Sequence, residues 1–260
     1  MNKLLVPLLL ICLSTAVSAV NQNEPDEKLI NDFLSNDWPT VLSAKEGIEN
    51  LESAGIEHML KIMDNCNQQP LKNTGDLIYP GAEKFYGHGQ IIDYDIDDLC
   101  VRAGWLLEDL TFQNFGFSGI HLPDAELVDF IRFSFPEYYN NSANRKAMEK
   151  MTTVEKRKLI RSISMDRARN WWNKNAPGWT RLDALSDALS SNDEKRQVKA
   201  LFYLRNGITI CSGLSGDFYR SRLENLVVRL SRVELSRVSE NAKLILLDTD
   251  LEWITLKSGR

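Results

Sequence analysis

Apolar residues recur at helical spacing along most of this chain. Leu29, Ile30 and Phe33 form the first such group, and apolar positions three and four residues apart predict an amphipathic α-helix. The same spacing predicts helices over residues 27–34, 41–53, 56–64, 97–110, 123–133, 152–174, 180–190, 193–206, 217–233 and 241–257. Alternation of apolar and polar positions is confined to short stretches such as Gln90 to Tyr94. We therefore expect an all-α fold.

Local signals mark several helix ends. Thr152 and Glu155 have the spacing of a capping box, which predicts the start of a long helix. Pro123 fits the first turn of another helix, where a missing N–H is tolerated. The segment Asp37-Trp38-Pro39 is expected to break the helical pattern between the first two helices.

The first nineteen residues have the order of features that is typical of a secretory signal peptide. Lys3 precedes an unbroken apolar run from Leu4 to Leu13, and small residues up to Ala19 form a cleavage site. This run is too short to span a bilayer, which takes about 20 apolar residues, and no later run approaches that length. We expect residues 1–19 to be removed, leaving a periplasmic or secreted protein with no membrane span.

Charge divides the mature chain into two halves. Residues 20–142 hold 22 acidic and 7 basic side chains, whereas residues 143–260 hold 14 acidic and 23 basic ones. We expect an acidic helical half with an inserted loop and a basic helical half, together forming one continuous domain. The opposite charges either steer a partner or hold the halves together. Nucleic acid is not an expected partner, because the acidic half would repel phosphate and the basic half carries no recognised binding motif.

Two parts of the chain have the pattern of paired-helix repeats. Residues 180–204 contain a first helix, a turn with Asp193, and a second helix with Val198 and Leu204. Residues 55–65 and 97–110 form a second, split candidate that includes Asp98, Val101 and Arg102. These segments resemble the HEAT family. The resemblance implies stacked antiparallel helix pairs in an α-solenoid-like arrangement with a curved binding surface, and it implies no particular chemistry.

The resemblance also implies a disulfide. The turn of the split pair is replaced by a long irregular insertion at about residues 66–96. Cys66 would end one helix and Cys100 would begin its antiparallel partner, so the two would lie close together. An exported chain meets an oxidising compartment, and the third mature cysteine, Cys211, would remain unpaired.

The insertion is the leading candidate for a functional site. Aromatic and ionisable residues are concentrated in residues 76–98, and long loops in compact domains are often functional. The alternative is that the aromatic side chains only pin the loop to the helices beneath it. The candidate binding residues are Tyr79, Glu83, Tyr86, His88, Asp93, Tyr94, Asp95 and Asp97.

No specific chemistry follows from these residues. Asp93, Asp95 and Asp97 begin like a calcium loop, but Asp98 and Gly104 stand where that loop needs glycine and glutamate, so we expect no metal site. His88 with Glu83 or Asp93 would suit acid–base chemistry, but no nucleophile motif accompanies them.

Tryptophans form a second candidate surface. Trp171, Trp172 and Trp179 surround the helix break at residues 175–178. Exposed tryptophans suit carbohydrate stacking and protein interfaces. The alternative is that they pack two helices across a corner.

The sequence favours a binding protein over an enzyme. We expect an exported helical-repeat protein that acts through protein–protein interaction, for example as an immunity protein or inhibitor that neutralises an envelope-targeting toxin or hydrolase. No cofactor is expected. The alternative is an envelope enzyme or carbohydrate-binding protein that uses the 76–98 loop and exposed tryptophans.

Overall fold

The computed structural model describes residues 23–64, 66–82, 90–234 and 236–247. Helices dominate this part of the chain, so the all-α prediction is confirmed. The predicted signal peptide lies outside the described residues. The α-helices are α1 (Asn23–Phe33), α2 (Trp38–Asn50), α3 (Ser53–Ile62), α4 (Leu99–Thr111), α5 (Asp124–Ser134), α6 (Pro136–Tyr139), α7 (Ser142–Met148), α8 (Thr153–Asn175), α9 (Arg181–Ser190), α10 (Glu194–Asn206), α11 (Gly216–Phe218), α12 (Glu224–Leu230) and α13 (Arg237–Leu247).

Four shorter elements complete the described chain. Phe117–Gly119 is a 3₁₀ turn, and Tyr219–Leu223 is a π-helical segment between α11 and α12. The strand β1 (Leu77–Ile78) pairs in parallel with β2 (Gln90–Ile91), inside the predicted insertion. The predicted single helix over 217–233 is therefore interrupted.

The capping box at the start of α8 is confirmed. The backbone N–H of Thr152 donates to Glu155 Oε2 at 2.7 Å, and the N–H of Glu155 donates to Thr152 Oγ1 at 3.3 Å. The predicted start of α2 was wrong. Asp37 caps this helix by accepting from the N–H of Thr40 at 3.2 Å, and Pro39 lies in the first turn, where it needs no donor.

The two predicted helix pairs are present as neighbours. Helix α3 packs against α4, and α9 packs against α10 across a short turn. A disulfide joins Cys66 to Cys100 with a Cα–Cα distance of 5.0 Å, which confirms the predicted pairing. Cys211 is a free, buried thiol.

Removal of the disulfide is expected to lower the free energy of unfolding by about 3–4 kcal/mol, because it closes a loop of 34 residues in the unfolded chain. Denaturant unfolding of the double variant Cys66→Ala/Cys100→Ala against wild type measures this loss. Treatment of the wild type with dithiothreitol should reproduce the effect, and Cys211→Ala should remain sensitive to the reductant. An unfolding midpoint that reduction leaves unchanged would contradict the expectation.

Two hydrophobic clusters form the interior of the described chain. The first is built from α1 to α8 and the insertion, and α4 is buried on nearly every side within it. The second is built from α9 to α13 together with Phe112. Trp179, between α8 and α9, packs against both clusters. The boundary between the two hydrophobic clusters therefore falls near Trp179, whereas the charge balance of the sequence changes near residue 142.

Ion pairs join the acidic half to the basic half. Most of them involve basic side chains of α8 and acidic side chains from the first 142 residues. The pairs of α8 are Asp64–Arg169, Asp98–Arg161, Asp124–Lys156 and Glu137–Arg167. The pairs of α9 and α10 are Glu49–Arg181, Glu108–Lys199 and Asp109–Lys199. The charge polarity of the sequence is thus at least partly satisfied within the molecule.

Salt should weaken this association between the halves. Raising sodium chloride from about 0.1 M to about 1 M shortens the Debye length to about 3 Å, which screens the exposed pairs most. We expect the melting temperature to fall by a few degrees. The double variant Arg167→Gln/Arg169→Gln lacks two exposed pairs and should show a smaller fall. Melting that is independent of salt would contradict the prediction.

No described helix combines the length and apolar character that crossing a bilayer requires.

Candidate binding cleft

A cavity of about 840 Å³ lies between the two hydrophobic clusters. Helices α2, α4, α9 and α10 contribute its wall, and β2 with residues 206–208 contributes to its edge. Known ligand sites commonly enclose about 300–1,000 Å³. We call this cavity the cleft and treat it as the candidate functional site.

Glu108 of α4 is a buried anion on the cleft wall, with 1% of its surface exposed. Its Oε1 accepts the backbone N–H groups of Phe115 at 2.7 Å, Gly116 at 2.8 Å and Phe117 at 3.3 Å. Its Oε2 accepts the hydroxyl of Tyr94 at 2.5 Å. These four donors compensate the charge, and they fix the turn that follows α4.

Two lysines neutralise the acidic side chains beside Glu108. Lys199 of α10 lies 3.0 Å from Asp109 Oδ1 and donates to the Tyr94 hydroxyl oxygen at 2.9 Å. Lys45 of α2 lies 3.4 Å from Asp109 Oδ2 and forms a close ion pair with Glu49. Asp109 therefore links a lysine of α2 to a lysine of α10.

Arg181 of α9 completes this charged wall, and it is 1% exposed. Its Nη2 lies 3.6 Å from Glu49 Oε2, and its Nη1 donates to Thr209 Oγ1 at 3.3 Å. The Thr209 hydroxyl donates to Glu49 Oε2 at 2.5 Å. The guanidinium carbon lies 4.6 Å from the ring centre of Tyr203 and 5.7 Å from that of Phe112, which are favourable cation–π distances.

The ion pairs shift the pKa values of Asp109 and Lys199. Burial would raise the pKa of Asp109, but Lys199 and Lys45 outweigh it and hold this pKa below its usual value. Burial would lower the pKa of Lys199, but Asp109 and Glu108 outweigh it and raise this pKa. The stability that Asp109 contributes is lost as pH falls below about 3.9, and that of Lys199 is lost as pH rises above about 10.4.

Buried tyrosines should make the fold sensitive to alkali. Burial raises the pKa of Tyr79, Tyr94 and Tyr203, and nearby carboxylates raise it further for Tyr79 and Tyr94. The unfolded phenols ionise near pH 10, so the free energy of unfolding should fall above that pH. In an alkaline pH titration, the absorbance of tyrosinate from these phenols should rise over the same pH range in which the helical circular dichroism signal is lost. Complete tyrosine ionisation near pH 10 in a protein that keeps its helical signal would contradict this.

The edge of the cleft is apolar. Ile91, Phe202 and Ile208 line the cavity, and 69%, 54% and 73% of their surfaces are exposed. Phe130 also lines it, beneath the ammonium group of Lys195 at 5.2 Å from the ring centre. Exposed apolar residues grouped around a cavity are typical of binding surfaces. The cleft thus combines an apolar edge with a charged, ion-paired interior.

His121 is an additional titratable group on the cleft wall. Burial lowers its pKa, and Arg157 contributes in the same direction, while Asp93 and Glu126 oppose it. Its Nδ1 is buried without a hydrogen-bond partner among the described residues. A neutral imidazole is therefore available in the cleft at neutral pH.

The structure brings only part of the predicted loop site to the cleft. Asp93 and Tyr94 line it, and Tyr94 is bonded to Glu108 and Lys199 as described above. Tyr79 and Asp97 lie instead in the interior of the insertion, where the Tyr79 hydroxyl donates to Asp97 Oδ1 at 3.1 Å. The other candidates of this loop, Glu83, Tyr86 and His88, lie outside the described residues.

The loop aspartates anchor the insertion to α4. Asp97 Oδ1 accepts the N–H of Leu71 at 2.8 Å, and Asp98 caps α4 by accepting the N–H of Cys100 at 3.0 Å. Burial raises the pKa of Asp95, and the carboxylates of Asp97 and Asp98 raise it further. Within the described ranges, no group of three or more His, Cys, Asp or Glu side chains has an arrangement that suits a metal ion.

The three candidate tryptophans pack together at the corner between α8 and α9. The ring centres of Trp171 and Trp172 are 6.1 Å apart, and those of Trp172 and Trp179 are 5.7 Å apart. Trp172 is buried, and Trp171 also contacts Phe115 edge-on at 5.8 Å. None of the three lines the cleft.

Most charged residues of the cleft were not identified from the sequence. Lys45, Glu49, Arg181 and Lys199 each lie on a predicted helix, but their convergence depends on how the helices pack. The burial of Glu108 could have been inferred from the sequence, because it lies in a helix whose other positions are mostly apolar. A helix that is hydrophobic on every side is buried, so its charged residues must be paired.

Comparisons with known proteins do not assign the chain to a family. No family model matches it, and neither a curated protein nor a solved structure is significantly similar to it. The fold and the cleft define an all-α protein with a central, ion-paired cavity. Its function has to be argued from the chemistry of that site.

Proposed function

We propose that this chain is an exported binding protein that recognises another exported protein and takes a segment of that partner in the cleft. The observation that carries the proposal is the cleft itself, a cavity of about 840 Å³ with exposed Ile91, Phe202 and Ile208 at its edge. Aromatic and aliphatic anchors that enter such a cavity supply most of the energy of typical protein interfaces.

The state of the charged wall supports binding over catalysis. Glu108 accepts four hydrogen bonds, and Asp109 is held between Lys45 and Lys199. Acids and bases that are committed to ion pairs are poorly placed to exchange protons with a substrate. They do give the cavity a rigid wall with fixed positions for polar contacts.

The paired helices support a finer form of the proposal. We propose that α3 with α4 and α9 with α10 are HEAT-like units, and that the cleft is the concave surface between them. Export to the periplasm would place this surface beside envelope proteins. The role that fits an exported protein with no recognised catalytic motif is that of an immunity protein or inhibitor. Its partner would be an envelope-targeting toxin or hydrolase.

Affinity purification of the mature protein from its native envelope tests this proposal. The wild type should be compared with Phe202→Glu/Ile208→Glu, which places two charges at the edge of the cleft. The control is Phe133→Glu, which changes an equally exposed apolar residue outside the cleft. We expect one partner that the wild type and the control retain and the double variant loses. A partner retained by all three proteins, or by none, would contradict the proposal.

His121 favours one alternative function, that of an envelope enzyme or carbohydrate-binding protein. This neutral imidazole on the cleft wall has an unpartnered Nδ1 among the described residues, which suits a general base. Screening the wild type and His121→Ala against peptidoglycan fragments and esters tests the alternative. Turnover that the variant loses would support it, and an inactive wild type would exclude it.

A further inference from the structure

We infer that Arg181 is the anion-binding residue of the cleft, and that the partner segment carries a carboxylate on an apolar or aromatic body. This inference rests on the proposed function, since it names the ligand chemistry of the same cavity. A carboxylate is the natural counterpart of a guanidinium group, because two parallel N–H donors match its two oxygens.

The first argument is the unused hydrogen-bonding capacity of Arg181. Within the part of the chain that the structure describes, its guanidinium donates a single hydrogen bond, to Thr209, and its Nε has no partner. The contact with Glu49 at 3.6 Å is an ion pair beyond hydrogen-bond distance. A guanidinium carries five N–H donors, and buried polar groups nearly always find partners. Unfilled donors on a cavity wall therefore point to a bound acceptor.

The second argument is the contrast with Lys45 and Lys199, the two lysines that form ion pairs beside Arg181. Lys199 contacts Asp109 and the Tyr94 hydroxyl, and Lys45 contacts Asp109 and Glu49. The nearest carboxylate to Arg181 is already engaged, because Lys45 and the Thr209 hydroxyl both bind Glu49. Among the three described cations that meet Glu49 and Asp109, Arg181 is thus the one with donors to spare.

The third argument is the apolar surface around the guanidinium. Tyr203 and Phe112 face it at 4.6 Å and 5.7 Å, and Phe202 and Ile208 lie at the edge of the same cavity. A ligand whose carboxylate reaches Arg181 would therefore lay its body against aromatic and aliphatic side chains. The surrounding low dielectric strengthens the charge-assisted hydrogen bonds that would form.

A matched pair of fluorescent probes tests the inference. N-dansyl-phenylalanine carries the carboxylate, and N-dansyl-phenylalaninamide has the same body without the charge. We expect the wild type to bind the acid about tenfold more tightly than the amide, as measured by fluorescence titration. Arg181→Met should bring this ratio close to one and leave the affinity for the amide nearly unchanged. Arg205→Met, on the exposed side of α10 and outside the cleft, should keep the wild-type ratio.

Two further variants keep the test decisive if Arg181→Met fails to fold. Glu49→Gln removes the carboxylate that competes for Arg181, so the preference for the acid should increase. Arg181→Lys keeps the charge but loses the planar fork, so its preference should be intermediate. Near-ultraviolet circular dichroism establishes that each variant retains its packing.

The outcomes separate this inference from the proposed function. Equal affinities of the wild type for acid and amide would overturn the inference, while the cleft would remain an apolar binding site. Failure of both probes to bind would also overturn it, and partner capture would still test the proposed function independently. If the carboxylate that Arg181 binds belongs to a peptide segment, N-dansyl-Leu-Leu-Phe should bind more tightly than N-dansyl-phenylalanine. Equal affinities there would indicate a small organic acid and contradict the partner segment.

Discussion

Replacement of Arg102 by methionine is expected to lower the free energy of unfolding by about 4–5 kcal/mol. Arg102 lies in α4 with none of its surface exposed. It donates to the carbonyl oxygens of Ile96 at 2.7 Å, Phe33 at 3.0 Å, Ser35 at 2.8 Å and Gln69 at 3.0 Å. Burial lowers the pKa of Arg102 to about 10 and the Asp97 carboxylate opposes this shift, so the group is charged at neutral pH.

The size of this effect follows from what methionine leaves behind. The substitution keeps an unbranched side chain but leaves four carbonyl oxygens without their donor, and unmade buried hydrogen bonds are expensive. One side chain joins the end of α1, the insertion and α4, so all three should loosen together. Denaturant unfolding followed by circular dichroism measures the loss. Arg205→Met, at an exposed arginine, is the control and should leave the unfolding midpoint nearly unchanged, and an equally small change in Arg102→Met would contradict this account.

Replacement of Glu108 by alanine is expected to lower the free energy of unfolding by about 4 kcal/mol. The change removes the acceptor of three backbone N–H groups and of the Tyr94 hydroxyl, and it leaves Lys199 with one buried counter-ion fewer. Removal of one partner from a buried charged network typically costs about 3–5 kcal/mol. Urea unfolding of the variant and the wild type measures the difference.

A conservative variant separates charge from shape at this position. Glu108→Gln keeps the carbonyl oxygen that can accept the backbone N–H groups, so it should lose less than half as much stability as Glu108→Ala. Glu57→Ala, on the exposed face of α3, is the matched control and should behave like the wild type. Equal losses in Glu108→Ala and Glu57→Ala would show that the buried carboxylate does not stabilise the fold.

The helices were largely predictable because their signals are local. Apolar spacing predicted α4, α5, α8, α9 and α10 to within about two residues, and the capping box at Thr152 marked the start of α8. The start of α2 was missed because a proline in a first turn resembles a helix break. The short helices α6 and α7 were missed because so few residues carry little periodic signal.

The candidate site was less predictable because it depends on tertiary packing. Tyr94 and Asp93 were identified from the insertion, but the wall around them comes from α2, α4, α9 and α10. Hydrogen bonds of this wall join residues up to 160 positions apart in the sequence, as the bond from Thr209 to Glu49 illustrates. Helical periodicity places a residue on one face of its own helix, and it carries no information on which other helix that face meets.

The central claim is that the cleft binds a segment of a partner protein, and site-specific photo-crosslinking tests it most directly. A benzophenone side chain would be placed at Ile208, on the edge of the cleft, and in a parallel variant at Phe133, outside it. After irradiation in cells of the native source, the account predicts one crosslinked partner from position 208 and none from position 133. The same partner from both positions, or no partner from position 208, would contradict it.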